Sequence, residues 1–149
     1  MSEHPDFTGK WLMTGYEGEP DKFMEDLKID SVQRTAAWAA DFGKGKATTE
    51  ITHDKDEDEV QYVDTDPVGN VSSRTITING EEQDFFDGQG NKQWVIPKWS
   101  DDGSKICATV RNEAGPLPSL ERWLESPTEM RVKYMSPGGV SWTTILTKE

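Results

Sequence analysis

After residue 45, hydrophobic and polar positions along this chain alternate with a period of two, and turn residues cut the alternation at short intervals. A period of two places successive side chains on opposite faces of a strand. Such segments run over residues 47–53, 59–64, 71–78, 83–86, 92–99, 104–111, 128–135 and 140–147, and an opening strand over 7–13 precedes a Gly/Pro-rich break at 15–20. The gaps carry Asp66-Pro67, Asn79-Gly80, Asp87-Gly88, Asp101-Asp102-Gly103 and Pro137-Gly138-Gly139, all tight-turn chemistry. Many short strands joined this way predict an all-β antiparallel meander. The pattern alone does not separate a sandwich from a barrel. A meander of nine or so strands would leave long exposed edges unless it closed on itself, so a barrel is expected.

Two stretches depart from the alternation. Over residues 20–28, Phe23, Met24 and Leu27 recur at helical spacing, with Pro20 in the first turn where its missing N–H is harmless. Over 31–40 a second helix is predicted, starting at an N-cap, Ser31, and filled by Ala36, Ala37, Ala39 and Ala40. Helices this short are marginal alone and must lean on the sheet, which predicts a small lid over residues 20–40. The second departure, 112–127, is too long for a hairpin turn and too apolar for a linker. It reads as an insertion with one helical turn at 119–124, packing Leu120, Trp123 and Leu124 on the outside or rim of the barrel. Residues 1–149 are expected to form one domain.

Charge and composition narrow the function. Sixteen basic against 28 acidic residues give a net charge of -12, which repels phosphate backbones and anionic headgroups. Neither nucleic acid nor strong binding to an anionic membrane is expected. The first residues lack a signal-peptide pattern, and no apolar run approaches the roughly 20 residues of a membrane span. The single Cys107 fits a reducing compartment, so a soluble, cytoplasmic monomer is expected and the sequon Asn70-Val71-Ser72 goes unread.

The search for chemistry is mostly negative. His4 and His53 do not make a metal centre, Cys107 lacks a CxxC partner, and a catalytic triad would rest on His53 alone. No catalytic residue, metal or cofactor is therefore expected. The acids from Asp54 to Glu59 imitate half of a calcium loop, but Glu59 occupies the position that needs glycine and Thr65 the position that needs glutamate. A solvated hairpin tip is the plainer reading. Six tryptophans are many for so polar a chain. Trp142, Thr144 and Leu146 share one face of the last strand, and Ile106, Ala108 and Val110 one face of an earlier strand. Those faces either line a cavity or pack a core.

Phe7-Thr8-Gly9-Lys10-Trp11, the stretch from Glu17 through Phe23-Met24 to Asp30, and Arg34-Thr35-Ala36-Ala37 resemble the intracellular lipid-binding proteins, the fatty-acid and cellular retinoid carriers of the calycin superfamily. Lys98-Trp99 with Asp102-Gly103 is similar to that family's Lys-Trp-Asp-Gly turn, and the closing hairpin matches in placement. The chain would be a divergent member. The resemblance implies a flattened barrel of about ten strands with a cavity beneath a helix-turn-helix lid, and a portal formed by Phe23, Met24, Ile29, Gln33 and Ala37, to which the neighbouring Trp38 is added. Fatty-acid binders of the family hold the carboxylate with Arg-x-Tyr on the last strand and another Arg two strands earlier. Here those positions read Thr144-Ile145-Leu146 and Val110. Relative to the family, 79–92 also falls short by about one strand.

An acidic headgroup at those positions would be desolvated without a cation, which costs several kcal/mol. The expected function is therefore non-covalent binding, transport or sequestration of a hydrophobic small molecule, a retinoid, neutral lipid, sterol or pigment in preference to a fatty-acid anion. Two alternatives stand beside it. One is an enzyme using a converted cavity, and the other is a filled barrel that meets a protein partner through 112–127.

Overall fold

The computed structural model describes residues 4–86 and 90–149. Ten strands among them form one antiparallel sheet: β1 (Gly9–Gly18), β2 (Thr48–Asp54), β3 (Glu59–Thr65), β4 (Val71–Thr77), β5 (Gln83–Phe86), β6 (Lys92–Trp99), β7 (Lys105–Asn112), β8 (Gly115–Ser126), β9 (Glu129–Met135) and β10 (Ser141–Lys148). Helices α1 (Pro20–Asp26) and α2 (Ser31–Ala39) lie between β1 and β2. The strand order β4-β3-β2-β1-β10-β9-β8-β7-β6-β5 is a meander in which β1 pairs with β10, and the sheet curls into a nearly closed barrel. Only β4 and β5, the two ends of that order, share no ladder.

Strand β1 runs between two neighbours by means of a local irregularity. Residues 9–12 pair with β2, the register against β10 shifts between Met13 and Gly15, and the rest of β1 follows β10 alone. Its last residue, Gly18, has φ +94, and a Cβ there would lie 2.9 Å from the Trp142 backbone. Glycine is thus required where the chain turns into α1.

The lower barrel is solid. Trp11 and Phe7 are 1% and 0% exposed, with Ile51, Val60, Met130 and Val132 around them, and the Trp11 indole N–H donates to the Phe7 carbonyl. Truncating rings this deeply buried costs about 3–5 kcal/mol. Asp58, in the β2–β3 turn, closes the bottom by accepting from the Trp99 indole at 2.6 Å and bonding His53 Nε2 at 3.1 Å. His4 stacks on Trp99 from the other side.

One predicted element is corrected. Residues 119–124 are not a helical turn on an insertion; they lie inside the twelve-residue strand β8, which is paired to both β7 and β9. The Gly115-Pro116-Leu117-Pro118 run misleads because proline is rare within central strands. Pairing with β9 begins only at Ser119, however, so both prolines lie on an overhang whose second side has no partner strand. The strand thought missing near 79–92 is accounted for by β8, and β5 stands at 83–86 as the alternation predicts. The N-cap of α2 is Asp30, accepting from the Gln33 N–H at 2.8 Å, and not Ser31.

Candidate functional site

Helix α1 is the docked part of the lid. Phe23 is buried, its ring 6.2 Å from Trp142 and 6.5 Å from Tyr134, and Tyr16 and Phe42 extend this aromatic cap. The Asp26 carboxylate latches the helix to the β9–β10 turn by accepting from Ser136 Oγ and the Gly138 N–H. Met24, Ile29 and Ala37 are half-buried, whereas Gln33 is exposed and Trp38 is 68% exposed. Helix α2 buries no residue. Its apolar content is chiefly alanine, too small to hold the helix down, and Trp38 borders an outer hollow of about 400 Å³ together with Asp21, Ser31 and Arg34.

Beneath the cap, the β7 and β10 faces expected from alternation both turn inward. Ile106, Ala108, Thr144 and Leu146 are buried, and Trp142 and Val110 are partly so. The β7 residues, with Tyr62, Phe85 and Leu120, enclose a void of about 30 Å³. That is room for about two waters.

Two arginines border this void. Arg122 is 4% exposed, its Nε has no hydrogen-bond partner, and its Nη1 meets only Met130 Sδ at 3.7 Å. The guanidinium lies 4.8 Å from the centre of the Tyr62 ring, and that of Arg74 lies 5.5 Å from the same ring. Neither forms an ion pair among the described residues. A buried charge without a counter-charge is disfavoured by several kcal/mol, and an acidic or strongly accepting group placed beside it would relieve that cost. A second buried donor, Trp142 Nε1, is also without a partner.

Arg122 is the interior cation that sequence reasoning missed. The cation expected two strands before the last was sought at Val110, on β7. The strand two before β10 is β8, and Arg122 projects from it in register with Val132 and, beyond that, Thr144. Reading Leu120, Arg122 and Leu124 as every second residue would have revealed the inward face; treating 112–127 as an insertion hid it.

Above the void, Thr49, Asp64, Ser72 and Tyr134 border an open mouth of about 800 Å³, and the Thr49 hydroxyl donates to Asp64 at 2.7 Å. Burial holds the Tyr134 phenol above its ordinary value of 10.0; the guanidiniums of Arg122 and Arg74 oppose that shift and the Asp64 carboxylate adds to it. The space is therefore polar at its mouth and apolar below, with Arg74 and Arg122 bordering the void. Other tryptophans serve elsewhere: Trp94 lies under Arg111 and Lys92, and Trp123 under Lys105, on the outer surface. His53 is a satisfied core histidine, and no group of three metal-ligating side chains is assembled among the described residues.

No family model matches the sequence, and no curated protein matches it. Solved structures do match. Human cRBP IV superposes with TM-score 0.75 at 15% identity, covering 97% of this chain and 99% of its own. As-p18, an extracellular fatty acid binding protein, gives 0.75 at 13% identity with both chains fully covered. The zebrafish ileal bile acid-binding protein complexed with cholic acid gives 0.68 at 20%, covering 96% of this chain and 98% of its own. The chain thus has the fatty-acid-binding-protein-like fold at identities that fit a divergent sequence.

Proposed function

We propose that this barrel binds a hydrophobic small molecule carrying one acidic or strongly accepting group, and carries or sequesters it without chemical conversion. The observation that carries the reading is Arg122, a buried guanidinium with an unbonded Nε beside an apolar void. Its presence shifts the preferred ligand from the neutral or weakly polar class expected from sequence toward an amphipathic acid such as a bile or fatty acid. Two of the similar solved structures, a fatty acid binding protein and a bile acid-binding protein complexed with cholic acid, support that class. The acid group would meet Arg122, and the apolar body would run up to Phe23, Tyr134 and Trp142, within reach of the Trp142 indole N–H. Swinging of the long Arg74 and Phe85 side chains makes the room. A cytoplasmic location is part of the same proposal and rests on the lone Cys107.

Titration of the tryptophan fluorescence with a long-chain fatty acid and with the matching alcohol tests this. Saturable quenching with the acid preferred is expected, and Arg122→Met should weaken the acid by at least about tenfold, or 1.4 kcal/mol, while affecting the alcohol much less. No saturable binding of either probe would overturn the reading. That result would favour the filled barrel, for which the small void speaks; the contact surface once assigned to 112–127 is, however, consumed in β8.

A further inference from the structure

The β4–β5 seam is where the barrel lacks a ladder, and its two halves are fastened differently. At the lower end, the Gln83 side-chain amide bridges the strands: its Nε2 donates to the Thr77 carbonyl at 2.6 Å and its Oε1 accepts from the Thr77 N–H at 2.8 Å. Among the described residues the upper end has no such bridge. There Arg74 of β4 lies over the Phe85 ring of β5 at 5.5 Å. These two side chains border both the interior void and an outer cleft of about 320 Å³, so the pair is the partition between the two. The outer cleft is edged by Val71 and Phe86, 66% and 67% exposed, an apolar rim on an otherwise strongly acidic protein.

We infer that the upper β4–β5 seam is a side entrance for an anionic amphiphile, with Phe85 as its gate and Arg74 as the outer cation that receives the acid group before Arg122. Resting on the ligand class proposed above, the inference adds a route and a residue. A cation stacked on an aromatic ring near the surface is held weakly enough to open thermally. Arg74 and Arg122 contact one ring, Tyr62, so a carboxylate passed inward is never far from a guanidinium. The net charge of -12 repels an anion from most of the surface, which leaves a local cation as the means of admission.

Stopped-flow mixing with anionic 1-anilinonaphthalene-8-sulfonate and uncharged N-phenyl-1-naphthylamine tests the route. Phe85→Ala should raise the association and dissociation rates of both probes together, by about fivefold, with Kd changed far less, as expected when a gate and not a contact is removed. Phe85→Leu should give a smaller change in the same direction. Arg74→Met should slow association of the anionic probe by about tenfold, and Arg74→Lys should restore most of it. Wild-type exchange rates in the Phe85 and Arg74 variants, together with faster exchange on releasing the lid by Asp26→Ala, would send the ligand under the helices and overturn the inference. If the wild-type protein binds neither probe, the ligand-binding reading falls and the entrance falls with it. Binding with unresponsive seam variants removes the entrance alone.

Discussion

A guanidinium at 4% exposure without a carboxylate stands against stability in the empty protein. Replacing Arg122 with methionine, similar in length and free of charge, should therefore stabilise the ligand-free barrel by about 1–4 kcal/mol in urea unfolding, even as it weakens binding of an acid. A variant that lost both stability and affinity would show Arg122 to be a structural residue. Tyr134 gives a second prediction. Its phenol titrates above the ordinary 10.0 in the folded state, so the unfolded chain releases the proton first as pH rises. The contribution of Tyr134 to stability is complete below that value and is lost as pH climbs through the folded-state value. Urea midpoints measured on either side of pH 10 should fall more steeply in the wild type than in Tyr134→Phe.

The two lid helices differ in how they are held. Helix α1 has the buried Phe23 and the Asp26 latch, whereas α2 has its Asp30 cap and no buried residue. Local stability follows buried contacts and protected hydrogen bonds. Amide exchange should thus be faster in α2 than in α1, and Asp26→Ala should bring α1 toward the α2 rate at a cost of about 1–3 kcal/mol. Equal exchange in the wild-type helices would contradict this ranking. Strand β8 shows the same dependence on surroundings from the other side. Its Pro116 and Pro118 would be damaging in a strand paired on both sides, and they are tolerated because β9 ends before reaching them.

Across the whole molecule, most strands and both helices were legible because period two, helical spacing and turn residues are local properties. Trp142, Thr144 and Leu146, like Ile106, Ala108 and Val110, were found as faces for that reason, and the structure turns both inward. Gln33 is expected at the portal from the resemblance and Trp38 beside it, and the structure leaves both exposed. Which face of a helix meets the sheet depends on how the helix docks. Arg122 was hidden by an error one level up: once β8 was taken for an insertion, the inward parity of its side chains had no strand to belong to.

By itself the sequence determined the chemistry available here: an acidic chain with strand-forming alternation, turn residues at the right intervals, a short helical pair, and histidines and cysteine too few for a metal centre. Tertiary structure alone decided which residues share the interior. Bringing Arg74, from β4, and Arg122, from β8, to one tyrosine ring depends on the curl of a sheet whose order joins β1 to β10 and leaves β4 facing β5 without a ladder. Alternation fixes only the face of a strand that a side chain occupies. Closure of the sheet fixes what lies opposite, and that pairing over long separations is set by packing.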